Sequence, residues 1–280
     1  MTTDRAIETW AAGLARALGV PDASIVRLPT SSDAELLLTG ALVIKLHTVR
    51  TDPAALAARL QLAAANAQFV PPATPRVFTA PDGRPATIWP KVPVTKPDAD
   101  PQPWADAGAL LAGLHRVLAP NELPRHGWPE RMERAVERAP ATLRGVGERL
   151  LGQLRRVEPD EPDALLHGDW HLGQLGRWDD GWRLLDIDDV GVGDPAWDLA
   201  RPAGFWACGL LDDADWHTFL DAYHAAGGPA VPASGDPWPA LDLPARCAVF
   251  VAAVRASRND HVHSRRTAEA LSETCRRMAQ

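Results

Sequence analysis

Residues 92–103, VPVTKPDADPQP, hold four prolines and several polar side chains. Proline lacks a backbone N–H and fixes φ, so neither a helix nor a central strand runs through such a stretch. The chain divides here, and the two sides carry different periodicities. On the N-terminal side, residues 24–28, 34–38, 41–47, 76–79 and 85–89 are apolar runs of strand length, and Pro81-Asp82-Gly83 supplies hairpin-turn chemistry between the last two. One helix interrupts them: Asp52 caps it, Pro53 opens it, residues 54–69 continue it and Pro71-Pro72 closes it. Another helix precedes them over residues 3–19, where Ile7, Trp10, Leu14 and Leu18 are spaced three, four and four apart. Residues 24–89 therefore read as a small antiparallel sheet of five strands.

Beyond the linker the period is helical. Residues 104–118 present Leu110, Leu111, Leu114 and Val117 on one face, residues 130–154 form a charged helical stretch interrupted by Pro140, and residues 216–225 and 244–278 follow as helices around a Pro/Gly-rich loop at 228–239. The expected class is α+β, with an N-terminal lobe over 1–91 and a helical C-terminal lobe over 92–280. The net charge of −7 argues against a general nucleic-acid binder and suits a cationic small substrate. No run of about 18 apolar residues is present, so no membrane span is expected. Cys208, Cys247 and Cys275 form no CxxC pair, which speaks against structural zinc and a disulfide framework and for a reduced, cytoplasmic protein.

Ionisable groups concentrate between residues 165 and 200. Leu165-Leu166-His167-Gly168-Asp169 sets a carboxylate at the exit of an apolar pair, Gly168 permits a tight backbone there, and Gln174 follows five positions later. After the hairpin-like residues 178–182 (WDDGW), the strand-like Arg183-Leu184-Leu185 leads into Asp186-Ile187-Asp188-Asp189. Phosphoryl transfer needs a carboxylate to accept or orient the attacking hydroxyl, and oxygen ligands for a Mg²⁺ that bridges the phosphates. Asp169, Gln174 and Asp186 supply that set in order. Asp186 and Asp188 are two apart, so an extended chain points both to one side, where magnesium can sit. A turn aspartate and paired surface acids are the bland explanation of the same letters; the order HGD, Gln, LLDID argues against it.

These residues resemble the aminoglycoside phosphotransferase superfamily of small-molecule kinases, whose fold is similar to that of the protein kinases. The family pattern of HGDxxxxN, an IDxxD-like metal strand and GDPxxDLA reads here as HGDWHLGQ, LDIDD and, over 193–200, GDPAWDLA. A looser likeness extends to residues 108–117 and 219–228. The resemblance implies a two-lobed, protein-kinase-like fold, ATP or GTP as phosphate donor, Mg²⁺ as metal and a small-molecule hydroxyl as acceptor. It implies Asp169 as catalytic base or orienting carboxylate, Asp186 with Gln174 and Asp188 as metal ligands, and Asp198 as a brace for the catalytic loop. Lys45 would contact the α- and β-phosphates from the third strand, Ser31 and Ser32 would cap phosphates, and Trp89, Lys91 and Val92 would lie in the hinge that binds adenine. The scarcity of lysine supports Lys45: among 29 cationic side chains only Lys45, Lys91 and Lys96 are lysines.

Three departures from the family pattern carry weight. Gln174 stands where the usual motif has Asn, which moves the amide oxygen by about a bond length at a metal that tolerates little misplacement; HLGQ is similar to the maltokinase-like branch. Residues 53–69 contain no Asp or Glu, so the lysine–glutamate pair of the fold lacks its helix partner; Glu35 or a metal-site Asp substitutes, or the lysine pairs only with nucleotide. Residues 30–33 (TSSD) are no Gly-rich loop. For the acceptor, the acids Asp212, Asp213 and Asp215 are the candidate contacts, with His171 either a further contact or, the favoured reading, a residue that fixes the loop. An aminoglycoside or basic peptide antibiotic fits the acidic balance, and a sugar, amino sugar or amino alcohol fits Gln174. A nucleotide-binding protein without chemistry is the reading of another class, motivated by the missing helix acid and Gln174. His261 and His263, with no third ligand nearby, read as a solvated helix face.

Overall fold

In the computed structural model, residues 3–20, 24–30, 33–96, 101–120, 122–156, 164–258 and 262–278 are described, with the backbone alone over 262–266. Ser31, Ser32, His261 and the side chain of His263 lie outside them. The chain forms two compact units, Met1–Val94 with Gly176–Asp188, and Thr95–Leu175 with Asp189–Gln280. The first unit's leading segment ends at Val94, and the 176–188 segment lies with it and not with the helical residues. Backbone bonds hold it there: Arg177 N–H donates to the Pro93 carbonyl and Val70 N–H to that of Leu184.

The first unit is built on strands β1 (Ile25–Leu28), β2 (Glu35–Thr39), β3 (Leu42–Leu46), β4 (Phe78–Thr79) and β5 (Pro85–Pro90), all antiparallel in the order β1-β2-β3-β5-β4. Period-two alternation assigns the faces. Leu42, Ile44 and Leu46 of β3 join Leu37, Ala86 and Ile88 in an apolar layer under helix α1 (Thr3–Ala17), which contributes Ile7 and Ala11. Each fully buried Leu or Ile of that layer contributes about 1.5–3 kcal/mol. Lys45, the odd residue in the β3 alternation, therefore stands on the opposite face, paired with Thr87 of β5. Helix α2 (Pro53–Ala65) starts as expected, with the Asp52 side chain accepting from Ala54 N–H. It ends four residues short of the expected Phe69, because Asn66 is extended and its side chain accepts from Gln68 N–H instead.

The 178–182 turn is a hairpin, joining β6 (Leu175–Trp178) to β7 (Gly181–Leu184), with Asp179 at φ +50°. The second unit is helical: α3 (Trp104–His115), α4 (Trp128–Arg138), α5 (Ala141–Leu154), α6 (Ala196–Ala207), α7 (Asp213–Ala225), α8 (Trp238–Ala256) and α9 (Val262–Arg277). The charged 130–154 stretch is two helices, split where Ala139 and Pro140 are extended. Two short antiparallel strands, β8 (Ala164–Leu166) and β9 (Gly191–Gly193), frame the 167–190 segment. The main core lies among α4, α5, α6, α8 and α9, centred on fully buried Met132, Cys247 and Phe250. No helix among the described residues is long and apolar enough to cross a membrane.

Helices α3 and α7 approach closely at Gly108, where an added Cβ would stand 2.2 Å from the Phe219 carbonyl oxygen. Backbone cannot swing aside as a flexible side chain can. Gly108→Ala is expected to lower stability by about 1–3 kcal/mol, read as a reduced urea midpoint with an unchanged m-value.

Candidate active site

The first unit carries a charge cluster on the face of the sheet away from its core. Lys45 Nζ lies 2.7 Å from Asp186 Oδ1 and 2.9 Å from Asp188 Oδ2. His47, two residues along the same face, places Nδ1 3.0 Å from the other Asp188 oxygen, and its Nε2 meets Thr87 Oγ1 at 2.9 Å. Burial works to lower the Lys45 pKa, but the two carboxylates outweigh it and raise it above the ordinary lysine value. Burial likewise works to raise Asp188, and Lys45 with His47 overrides it, holding that carboxyl well below the carboxylate range.

The expected same-side alternation of Asp186 and Asp188 is not how they meet. β7 ends at Leu184, Asp186 adopts φ +62°, and its Oδ1 accepts from Asp188 N–H at 3.0 Å. Both acids reach Lys45 through a turn that aspartate tolerates because its short side chain bonds the local backbone. The missing helix acid is also resolved. Glu35 is engaged by Arg27 and Arg84, so Asp186 and Asp188 are the lysine's counterions.

In the second unit, β8 delivers His167, Gly168 and Asp169. Gly168 has φ +83°, and a Cβ there would meet the Asp189 carbonyl oxygen at 2.1 Å, so both the backbone angle and the space demand glycine. Behind the loop is Asp198, 1% exposed. It accepts from His167 N–H at 2.6 Å, Gly168 N–H at 2.8 Å and His115 Nε2 at 3.0 Å. His115 Nδ1 continues to the Tyr223 hydroxyl at 2.8 Å. Burial works to raise the Asp198 pKa, and the bonds from His115 and the loop backbone override it, keeping it ionised.

Asp169 is held by two arginines, Arg131 Nη1 at 3.0 Å and Arg201 Nη2 at 3.1 Å; Arg131 also bonds the Gly168 carbonyl and Asp189. Burial works against ionisation of Asp169, and the guanidinium pair outweighs it, lowering its pKa. His171, beside it, is pushed down to about 3 by burial and then by Arg201, so it is a neutral imidazole near pH 7. Gln174 ends a short 3₁₀ turn, Leu172–Gln174, on the same segment. Sequence reasoning missed Arg131, Arg201 and His47. Arg201 directly follows GDPAWDLA and was open to inspection; Arg131 sits in a charged helix with nothing to distinguish it.

Of the hinge residues, Lys91 N–H is occupied by the Ala41 carbonyl at 2.8 Å and Trp89 Nε1 by Thr87 at 2.9 Å. Among the acids expected at the acceptor, Asp212 caps α7 by accepting from Asp215 N–H, and Asp213 accepts from Trp206 Nε1. Only Asp215 lines the cavity of about 550 Å³ in the second unit, together with His171 and Arg201.

The phosphotransferase enzyme family matches residues 29–238. The fold is similar to that of a choline/ethanolamine kinase family protein from Mesorhizobium loti, at 18% identity and TM-score 0.67 over 100% of this chain and 95% of that one. It is similar to a macrolide 2'-phosphotransferase from Brachybacterium faecium at 18% identity and TM-score 0.55, over 94% and 97%. An amicoumacin kinase solved with AMP-PNP, Ca²⁺ and Ami aligns at 14% identity and TM-score 0.67, over 98% and 96%.

Asp198 gives a stability test with a defined sign. A carboxyl whose folded pKa is depressed contributes stability that is present above its unfolded pKa and is lost as pH falls through the folded value. Asp198→Asn is expected to cost about 3–5 kcal/mol at neutral pH. The gap to the unaltered chain should close as pH drops below the ordinary carboxylate range, measured by denaturant titration at stepped pH.

Proposed function

Because the chain belongs to the phosphotransferase enzyme family, we propose that it moves the γ-phosphate of ATP, or of GTP, to a hydroxyl of a small molecule. The observation that carries the nucleotide part of this reading is the Lys45 ammonium held between Asp186 and Asp188 on the non-core face of the sheet. Magnesium is usually bound by one or two carboxylates plus phosphate oxygens. Asp186 and Asp188, each about one third exposed and close together, fit that donor set. Gln174 keeps the role its place in the motif implies, a side-chain oxygen donor. When bound, Mg²⁺ neutralises charge on the phosphate oxygens. Lys45 serves the α- and β-phosphates, and with Lys91 N–H engaged, adenine contact within 89–92 falls to the other backbone groups.

Asp169 orients the attacking hydroxyl. Two guanidinium groups keep it ionised and weakly basic, which suits a reaction in which positioning and charge outweigh covalent proton abstraction. The case for a nucleotide-binding protein without chemistry rested partly on a lysine lacking its acid, and Lys45 has two. Such an enzyme works where nucleotide is abundant, the cytoplasm.

Asp169→Asn is expected to lower kcat by about 10²–10⁴-fold while the thermal shift given by Mg-ATP persists; unchanged turnover, read as acceptor-dependent ADP release, would refute the assignment. With Asp169 held acidic, kcat/KM should show no acid limb from this group between pH 5 and 8, checked by a pH–rate profile with roughly constant ionic strength.

A further inference from the structure

The cavity of the second unit is walled chiefly by aromatic and aliphatic side chains, with Trp104, Trp170 and Phe205 among them. Trp170 stacks on Phe219 at 5.2 Å and 18°, and Trp104 meets both rings edge-on at 6.3 and 6.0 Å, so the aromatic floor is fixed in orientation. Its charged lining is Asp215, Arg201 and Lys96. Arg201 is already neutralised by Asp169 at 3.1 Å. The Asp215 carboxylate has neither hydrogen bond nor ion pair among the described residues and is half-buried.

A site for a molecule with four or five amines needs several carboxylates. Here the acids offered by the sequence reduce to one, because Asp212 and Asp213 are engaged within their own neighbourhood. The cavity volume of about 550 Å³ lies in the range of drug-sized ligand sites, roughly 300–1,000 Å³. The indole Nε1 atoms of Trp104 and Trp170 are closed off from solvent and have no hydrogen-bond acceptor among the described residues, so what these residues present to the cavity is apolar ring surface.

We propose that the acceptor alcohol is an amphipathic molecule with an apolar body and one amine, read by Asp215 and the aromatic walls, and not a polycationic aminoglycoside. This rests on the kinase reading above and names the substrate class of the same enzyme. A single ammonium over aromatic faces gains cation–π attraction, and Asp215 supplies its counterion. Each additional ammonium would face Lys96 with no further unpaired carboxylate in the lining to offset it.

The test is calorimetric binding of three probes to the full chain: clindamycin, with one amine on an apolar body, kanamycin as the polyamine, and choline as the small cation. Clindamycin is expected to bind about tenfold or more tighter than either. Asp215→Asn should weaken it by about tenfold or more, the worth of one charge-assisted hydrogen bond, and Trp104→Leu should weaken it several-fold by removing an aromatic wall. Thermal melts confirm that both variants fold. Equal or tighter binding of kanamycin or choline, no binding of clindamycin, or an unchanged clindamycin affinity in Asp215→Asn would overturn the proposal. A thermal shift with Mg-ATP on the same samples reports the nucleotide site separately: its absence counts against the kinase reading and leaves the cavity result standing.

Discussion

A carboxylate removed from water is tolerated only where donors replace its hydration, and Asp198 is 1% exposed. Its two oxygens take the N–H groups of His167 and Gly168 and the Nε2 of His115. The network continues from His115 to the Tyr223 hydroxyl, which in turn accepts from Ala230 N–H. One buried charge thereby links α3, α6, α7 and the exit of β8. The loop it grips must bend back on itself, and Gly168 at φ +83° against the Asp189 carbonyl is the only residue type that fits. Asp169, the next residue, owes its direction to that bend.

Both units organise charge by the same logic with opposite signs. In the first, a lysine stands between two carboxylates, and in the second a carboxylate stands between two arginines. Each arrangement keeps the central group ionised against the opposing effect of burial. Charges fixed before any ligand arrives need no reorganisation during phosphoryl transfer, which is how electrostatic catalysis gains most. Burial works to raise the Asp169 pKa, and the two arginines override it and lower the basicity of that carboxylate.

Much of this was legible in the residues. The strand-length run around Lys45 marked β3, Asp52-Pro53 marked the start of α2, and the prolines of 92–103 marked the change from strands to helices. What failed did so for identifiable reasons. Asn66 ended α2 early because a side chain bonded to nearby backbone competes with the helix. The lysine's acid was sought on a helix, whereas it is supplied across 141 residues of sequence by Asp186. Asp212, Asp213 and Asp215 looked equivalent, and only their hydrogen bonds divide a cap, an indole acceptor and a free carboxylate.

By itself the sequence determined most of the type and order of elements and singled out Asp169, Asp186 and Asp188 as candidate acids, because periodicity and short motifs are properties of neighbouring residues. Tertiary structure decided which charges meet: Lys45 with Asp186 and Asp188, Asp169 with Arg131 and Arg201, Asp198 with His115. It also decided that the cavity of the second unit is walled chiefly by aromatic and aliphatic side chains, with Asp215 as its one unpaired carboxylate among the described residues. Such pairings depend on packing between segments far apart in the chain, and no local pattern encodes a distance.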